Sequence, residues 1–443
     1  MDWRALPRLA AEAYPESMPP SSHVEECKFA LLDTVASAWS TPDSVPPRSK
    51  SSGGNGGFPT SWATGSPAEL SSACYENAFA AHASEFDCIH YMAVGHPGAA
   101  ILPALVPLMQ NGEIQAPDVI SGYLTGLEVM ATLGEAVGDR LRKRGFHSTP
   151  VLGAPAAAAA VARALRLDAT RTSWAMFLAS TSNVGFACAH GTVGKPRQVA
   201  AACRGGLEAA LHSAAMLGEE LPTGWQQPLE VLLQEELPTP LHAFGAPWAL
   251  DVLPTYHKRF PMCGYFDAPI AHVDALRVRG FLREAVRITL GVPEYIATAS
   301  KYRLPSTIEQ ARFSLPFSVA GLLARGSIDP TLFSEPSLSD SDIQRWATAV
   351  QVQKVDGELG PLGDSITGFV SVERFDGSHE TAAVTYRVEP PVTSWEMLEE
   401  KLGNILPNAS EATVREIVNG FQEFENLDSR QLAAILALGA ENR

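Results

Sequence analysis

Residues 85–100, EFDCIHYMAVGHPGAA, join a group of chemically active side chains to the start of an apolar run, ILPALVPLM. The segment contains two acids, two histidines, a thiol and a phenol. Titratable groups beside the start of a buried helix are typical of an active-site loop on a rigid scaffold. The Pro97-Gly98 pair predicts that His96 is the last residue before that helix, because proline fits a first helical turn. The alternative interpretation is that His96 only caps the helix.

The composition excludes several classes of protein. A chain of 443 residues is too long for one ordinary core, so two domains are expected. With 49 acids against 33 bases the net charge is −16, which disfavours nucleic acid and anionic membranes as partners. The six cysteines form no C-x-x-C pair, so no metal-site spacing is present and free thiols are expected. Without a membrane-spanning run or a targeting signal, a cytoplasmic location is expected.

The first half of the chain has the pattern of successive helices. Residues 24–40 space their apolar side chains helically, and helical patterns follow one another through residues 101–218. They include PDVISGYLTGLEVMATLGEAVGDRL, the alanine-rich GAPAAAAAVARALRL, and DATRTSWAMFLASTS with an N-cap aspartate. Alanine and glycine allow close packing, so a compact helical domain is predicted. The glycine-rich sequence GGNGGF at residues 53–58 lacks a preceding strand and a following G-K-[ST], so phosphate binding is not predicted there.

The pattern changes near residue 250. AVRITLGV alternates like a strand, IEQARFSLPFSVAGLLARG has a helical pattern, and residues 365–390 alternate on both sides of Asp376-Gly377, which predicts a hairpin. The last residues, 395–443, are again helical. We therefore predict a mainly α fold. Residues 1–257 and 393–443 form a large all-helical domain, and residues 258–392 form a smaller inserted α+β lid domain.

Four further stretches place polar groups at turns or helix starts, where backbone N–H groups favour anions. They are RKRGFHSTPVLGAPAAAA with His147, CAHGTVGKPRQVAAACRGG with Lys195, TYHKRFPMCGY with Lys258 and Arg259, and SKYRLP with Tyr302. Each residue has a structural alternative, such as a core histidine, a surface lysine or a solvated run of charges. Their joint occurrence is a stronger indication of one site than any single residue.

These pieces together resemble the MmgE/PrpD family, whose members include cis-aconitate decarboxylase, 2-methylcitrate dehydratase and iminodisuccinate epimerase. The matching pieces cover most of the chain in order: LLDTVASAWS, AAHASEFDCIHYMAVGHPGAAILPAL, RGFHSTPVLGAPAAAAAVARALRL, NVGFACAHGTVGKPRQVAAACRGGLEAA, KRFPMCGYFDAPIAHVDAL and KYRLP. The resemblance implies a large helical domain with a smaller α+β lid, a homodimer, and a site between the domains. It implies neither a metal nor an organic cofactor.

The resemblance also assigns roles to individual residues. The essential histidines of the decarboxylase match His96 and His147, and its glycine-turn lysine matches Lys195. Its lid tyrosine matches Tyr302, which completes the expected catalytic set. Its domain-junction lysine matches Lys258, which is expected to bind substrate.

The acidic run of the loop departs from the family pattern. Family members usually show Asp-Phe-Asp-Asp-Thr, whereas residues 85–89 here read EFDCI, with one extra residue before His96. Acids survive at the first and third positions, Glu85 and Asp87. These two acids and Arg259 join the expected substrate-binding set, and the substrate itself stays open.

The residue types fit acid–base chemistry on a small anionic carboxylic acid. Breaking a C–H, C–O or C–CO₂ bond beside a carboxylate builds negative charge, which lysine and protonated histidine stabilise. Histidine also exchanges protons near neutral pH. We therefore expect a cofactor-independent lyase, a decarboxylase or dehydratase, that acts on a di- or tricarboxylic acid. The alternatives are an epimerase of a small dicarboxylate, or reuse of the scaffold for binding or for a pericyclic reaction.

Overall fold

The computed structural model describes residues 2–14, 19–41, 59–216, 219–221, 224–357, 365–387 and 393–443. The chain divides into two compact units. The first unit comprises Met1–Ala189, Gly194–His257 and Val392–Arg443, and the second comprises His190–Val193 and Lys258–Pro391. The glycine-rich sequence GGNGGF lies outside the described residues, so the expectation about phosphate binding there is untested.

Helices build the first unit. Up to residue 257 they are α1 (Leu6–Glu12), α2 (Ser21–Trp39), α3 (Leu70–Ala83), α4 (Pro97–Gln110), α5 (Ala116–Leu133), α6 (Asp139–Lys143), α7 (Ser148–Ala164), α8 (Ala169–Ser182), α9 (Gly194–Ala214), α10 (Gln227–Leu233) and α11 (Ala249–Val252). The predicted N-cap of α8 is confirmed, because the Asp168 carboxylate accepts the Arg171 N–H at 2.9 Å.

Helix α7 lies at the centre of the first unit, and all of its residues are buried. It packs against α4, α5, α8 and α9. A Cβ on Gly126 of α5 would lie 3.0 Å from the Ala156 carbonyl oxygen, and one on Gly206 of α9 would lie 2.8 Å from the Ala154 carbonyl oxygen. Small residues therefore let the helix backbones approach closely, as the alanine-rich sequence predicted.

The helix predicted from PDVISGYLTGLEVMATLGEAVGDRL is interrupted. Helix α5 ends at Leu133, a π-helical turn spans Gly134–Gly138, and α6 follows. The turn lies against the loop between α3 and α4: a Cβ on Gly134 would lie 2.2 Å from the Met92 carbonyl oxygen. Such turns often mark functional sites, and their extra residue was not visible in the apolar pattern.

The second unit combines helices with a sheet. Its elements are α12 (Asp267–Val278), β1 (Ala285–Pro293), α13 (Glu294–Ala299), α14 (Ile308–Ala311), α15 (Leu315–Arg325), α16 (Glu335–Leu338), α17 (Ser341–Ala349), β2 (Val350–Val355), β3 (Ser365–Arg374) and β4 (His379–Arg387). The strand order is β2-β1-β3-β4, with β1 parallel to β2 and antiparallel to β3.

Two sequence predictions in this unit have different outcomes. The hairpin is confirmed: β3 and β4 pair antiparallel around a turn in which Gly377 has φ +79°. The single helix predicted from IEQARFSLPFSVAGLLARG is two helices, because the Ser314 hydroxyl accepts the Phe317 N–H and starts α15 anew. Pro316 reinforces this start, since it cannot donate a helical hydrogen bond.

The chain then adds three helices to the first unit, α18 (Trp395–Ile405), α19 (Glu411–Gln422) and α20 (Ser429–Glu441). A buried lysine of α18, Lys401, attaches these C-terminal helices to the rest of the first unit. The Lys401 ammonium donates to the Asp33 carboxylate at 2.6 Å and to the Phe86 carbonyl at 2.7 Å. It also lies 3.9 Å from the centre of the Phe86 ring. One side chain of α18 therefore joins α2 to the loop that precedes α4.

The mainly helical fold class with a small α+β region is confirmed. The assignment of residues 258–392 as a lid stays a prediction. Among the described helices, none is both long and apolar enough to cross a lipid bilayer.

Replacing Lys401 by methionine should lower the free energy of unfolding by about 3–5 kcal/mol, because the buried Asp33 charge loses its partner. The control is Lys143→Met, which removes an exposed pair with Asp139 at 2.9 Å and should cost less than about 1 kcal/mol. Urea denaturation followed by circular dichroism measures both. Equal losses in the two variants would contradict the structural role of Lys401.

Candidate active site

The loop between α3 and α4 is held in a strained conformation. Glu85 and Val94, neither of them glycine, have positive φ angles of 55° and 46°. Such conformations cost energy and persist only where surrounding contacts enforce them. Here Ile89 and Tyr256 exchange two backbone hydrogen bonds of 2.8 Å, and the Ser148 hydroxyl donates to the Val94 carbonyl. The loop is therefore fixed by its neighbours rather than by its own local preferences.

Asp87 is the buried anion of this loop. Its carboxylate accepts a hydrogen bond from His82 Nδ1 at 2.7 Å, and His96 Nδ1 lies 3.1 Å from the same oxygen. Burial alone would raise the pKa of Asp87, but its contacts with His96 and His82 hold it well below its usual value. An ionised carboxylate accepts hydrogen bonds and cannot donate them. It therefore keeps the proton of the His82 ring on Nδ1.

Three imidazoles lie together beside this loop, and two of them, His82 and His96, lie against the Asp87 carboxylate. The His82 ring centroid lies 4.6 Å from that of His96, at 73°, and 5.9 Å from that of His147, at 18°. His96 and His147 are the residues that immediately precede α4 and α7, yet neither side chain caps its helix. His96 occupies the N-cap position as predicted, but its side chain lies against Asp87 and makes no capping hydrogen bond. The two predicted histidines share one cluster through His82.

Gln198 of α9 orients His147. The Gln198 side-chain oxygen accepts the backbone N–H of Phe186 at 3.2 Å and contacts His147 Nδ1 at 3.1 Å. A backbone N–H can only donate, so the shared atom must be the amide oxygen. The proton on His147 therefore also resides on Nδ1. The second proton of a His147 imidazolium would therefore be carried by Nε2.

Lys195, the second residue of α9, forms a buried ion pair with Glu85. Both side chains are 5% exposed, so the pair is shielded from water. The positive charge of Lys195, which is expected to stabilise a substrate carboxylate, is thus already paired with Glu85. An incoming carboxylate would compete with Glu85 for the ammonium group.

The beginnings of three helices meet at this cluster. Helices α4, α7 and α9 start at or beside His96, His147 and Lys195. Exposed backbone N–H groups and the helix dipole make such positions favourable for anions. Together with the ammonium group of Lys195, they offer a carboxylate positive partial charges from several directions.

The other predicted residues lie in the second unit. Lys258 is buried and its ammonium lies 3.4 Å from the Met262 carbonyl oxygen, while Arg259 is exposed. The Tyr302 hydroxyl donates to the His190 carbonyl at 3.2 Å. The roles of Lys258, Arg259 and Tyr302 stay predictions.

A second buried polar cluster adjoins the loop. Asp33, Cys88 and His257 are fully buried, and one potential metal-ligand atom from each lies within 4.8 Å of the others. Burial, together with the charges of Asp33 and Asp87, raises the pKa of Cys88 well above its usual value, so its thiol is neutral. The Lys401 ammonium already neutralises Asp33. Because the thiol is neutral and the carboxylate is already paired, we interpret Asp33, Cys88 and His257 as a structural cluster and not as a metal site.

The histidine cluster also has a donor set that could hold a metal. One ligand atom each of His82, Asp87 and His96 lies within the same 4.8 Å limit. The Nδ1 atoms of both histidines, however, face the Asp87 carboxylate. The charge of Asp87 is therefore already paired with imidazoles, and we assign no metal to this donor set.

Sequence reasoning missed His82, Gln198 and Lys401. His82 looked like one more residue of an alanine-rich helix, although it lies three positions before the acidic run. Gln198 follows Lys195 by three residues, a spacing that places both on one helix face and could have indicated it. Lys401 meets Asp33 across a sequence separation of 368 residues, and no local pattern indicates that contact.

Comparison with known proteins yields one family and several relatives. Residues 4–223 match the MmgE/PrpD N-terminal domain. The chain is 26% identical to the cis-aconitate decarboxylase of Homo sapiens, over 83% of this chain and 79% of that protein. It is 27% identical to the cis-aconitate decarboxylase of Aspergillus terreus, over 84% and 82%. A cis-aconitate decarboxylase-like protein of Aspergillus oryzae is 35% identical over 29% of each chain.

Acidification should destabilise the protein through His90, a buried residue of the same loop. His90 Nε2 lies 2.9 Å from the Leu253 carbonyl, and burial lowers the pKa of His90 to about 4. An unfolded histidine titrates near 6.5, so between about pH 6.5 and 4 only the unfolded chain takes up this proton. The free energy of unfolding must therefore fall as the pH falls through this window.

In His90→Gln the amide can still donate to Leu253 but cannot titrate, so unfolding should depend less steeply on pH. Urea denaturation at several pH values across this window, for the native protein and the variant, measures the difference. An unchanged pH dependence would refute the assignment of His90 as a neutral buried histidine.

Proposed function

The chain belongs to the MmgE/PrpD family, and from this we propose that it is a cofactor-independent lyase for a small di- or tricarboxylic acid. One observation carries the proposal: His96 and His147, from two separate helix starts, both contact the ring of His82 in one buried cluster. Two imidazoles that lie near a lysine are suited to transferring protons at a carbon next to a carboxylate.

The proposed substrate class is aconitate-like. The relatives in Homo sapiens and Aspergillus terreus carry the name cis-aconitate decarboxylase. The helix starts at His96, His147 and Lys195 favour an anion with more than one carboxylate. A carboxylate that displaces Glu85 from Lys195 would receive a charge-assisted hydrogen bond.

In a decarboxylation, the bond between carbon and the departing carboxylate breaks and its electron pair stays with the substrate. That charge spreads onto the remaining conjugated carboxylate, where the N–H groups at the helix starts and the Lys195 ammonium stabilise it. CO₂ leaves, and a protonated histidine, His96 or His147, transfers one proton from Nε2 to the carbon. Uptake of one proton from solvent then restores the imidazolium.

In a dehydration, one of the two histidines would act as the base and the other as the acid. One neutral imidazole removes the proton from the carbon beside the carboxylate, and the other, protonated, gives a proton to the departing hydroxyl group. No net proton is consumed. The same protein groups would serve both reactions. Which reaction occurs would depend on whether the C–CO₂ bond or the C–H bond of the bound substrate is aligned with the carboxylate that accepts the charge.

Residues 85–89 depart from the acidic pattern of the family, but the contacts that Asp87 makes here support an acid–base role for the site. Asp87 keeps its contacts with His82 and His96, while Cys88 adjoins Asp33 and His257 in the second cluster. The loss of the acid at the fourth position, where Cys88 stands, therefore changes the second cluster and leaves the partners of Asp87 in place. This favours a proton-transferring enzyme over reuse of the scaffold for binding alone.

An epimerase of a small dicarboxylate is the second candidate. The observation that favours it is that His96 and His147 come from different helices, so they can approach one carbon from different directions. One imidazole would remove the proton at the α-carbon, and the other would return a proton to the opposite face. Neither CO₂ nor water would leave.

Proton NMR in D₂O with cis-aconitate, 2-methylcitrate and iminodisuccinate tests both candidates. We expect loss of CO₂ or water from one of the first two. His96→Gln and His147→Gln should each lower kcat/KM by about 10²–10⁴-fold, because each removes a proton-transfer group. The control is His242→Gln: His242 pairs with Glu135 at 2.5 Å, and its replacement should leave turnover unchanged.

The outcomes separate the hypotheses. Deuterium entering the α-carbon without loss of CO₂ or water would replace the lyase by the epimerase. Undiminished turnover of His147→Gln on the true substrate would contradict the proposed chemistry. Complete inertness of the native protein toward the panel, including hydrogen exchange, would favour reuse of the scaffold.

A further inference from the structure

His82 occupies the centre of the histidine cluster without any assigned role. Its side chain is fully buried on the last turn of α3, and Nδ1 donates to Asp87 at 2.7 Å. The other ring nitrogen, Nε2, is also buried and has no hydrogen-bond partner among the described residues. A buried polar atom without a partner is costly, so a residue that keeps one in a candidate site is a candidate for function.

The surroundings of His82 disfavour a charge on its ring. The titratable groups around it are Asp87 and His96 from the loop, His147 immediately before α7, and Lys195 of α9. Burial, the charge of Lys195 and that of His96 lower the pKa of His82 well below its usual value, against the opposing effect of Asp87. A neutral His82 adds no positive charge beside the two other histidines. Either of them can then carry the proton that the reaction needs.

The scaffold holds His82 rigidly against its partners. Helix α3 packs against α9, and the buried sulfurs of Cys74 and Cys203 touch across this interface at 3.6 Å. Helix α9 also carries Lys195 and Gln198. The element that presents His82 is therefore fixed to the element that orients His147.

We propose that His82 is a positioning residue of this site. It holds Asp87 against His96 and supports the ring of His147, with which it stacks. The inference rests on the proposed function, because it assigns His82 to the proton-transfer chemistry of His96 and His147. It does not make His82 a catalytic residue, since the ring is wholly buried and acts through its neighbours. It adds to the site a third histidine, which neither sequence motif nor family resemblance had assigned.

Two substitutions separate positioning from mere packing. His82→Asn keeps an N–H donor near the position of Nδ1, whereas His82→Leu fills the space without a donor. We expect His82→Leu to lower kcat/KM by about 10- to 100-fold, as loss of an orienting partner typically does, and His82→Asn to recover most of this loss. The matched control is His23→Leu, which removes a buried histidine bonded to Asp251 at 2.9 Å and should leave kcat/KM unchanged.

The pH profile gives a readout that packing alone would not move. Without the His82 donor, protonation of Asp87 becomes easier. The acidic limb of kcat/KM should therefore move to higher pH by roughly one to two units in His82→Leu. In His82→Asn the limb should stay near its native position. Equal losses in both variants with an unmoved acidic limb would overturn the proposal.

A measurement without substrate keeps this test separate from the proposed function. In protein labelled with ¹⁵N-histidine, the resonances that disappear in His82→Asn should show a neutral ring with its proton on Nδ1 between pH 5.5 and 8. A proton on Nε2, or titration within this range, would overturn the inference even if the enzyme is active. If the native protein proves inert toward carboxylic acids while this tautomer is observed, the proposed function fails and the geometry of His82 stands.

Discussion

A carboxylate that is removed from water must be compensated, and Asp87 is fully buried. Its compensation comes from imidazoles on both sides of it in the sequence: His82 lies on the last turn of α3, and His96 precedes α4. One negative charge thus joins two helices through the loop between them. It also determines which nitrogen of His82 carries the proton. The candidate site is therefore a consequence of burying this charge.

The same loop is fixed by different partners at successive residues. Glu85 pairs with Lys195, the Phe86 carbonyl accepts Lys401, and Cys88 adjoins the second cluster. Contacts to separate helices explain why Glu85 can persist at a positive φ angle. They also reduce the rearrangement needed during a reaction, which is how preorganised sites stabilise developing charge.

Buried charge links stability to function in this protein. Each ion pair of the loop would be costly if one partner were lost, so the fold depends on the same groups that define the site. Lys195 illustrates the consequence. Its pairing with Glu85 stabilises the folded site, and under the proposed function a substrate carboxylate would compete with Glu85 for the ammonium group, which would lower the net gain from binding. Under the proposed function, affinity for the carboxylic acid would therefore come from the helix starts as well as from Lys195.

Much of the fold follows from local sequence signals. Proline after His96 and the alternation around Gly377 act over a few residues, so they predicted the start of α4 and the hairpin correctly. The π-helical turn at Gly134 and the break between α14 and α15 at Ser314 were not predicted. The first meets the packed loop, and the second is a capping serine hidden within an apolar pattern.

For the site, local sequence signals were enough to predict that His96 and His147 directly precede helices and that Lys195 lies at a helix start. No local pattern indicated that His82 contacts both histidines, that Lys195 pairs with Glu85, or that Lys401 supports the loop from the far end of the chain, because these contacts form only in the folded protein. The physical reason is that caps, turns and periodicity are short-range properties of the backbone. Charge compensation in a core depends on which side chains the fold brings together, regardless of their separation in sequence.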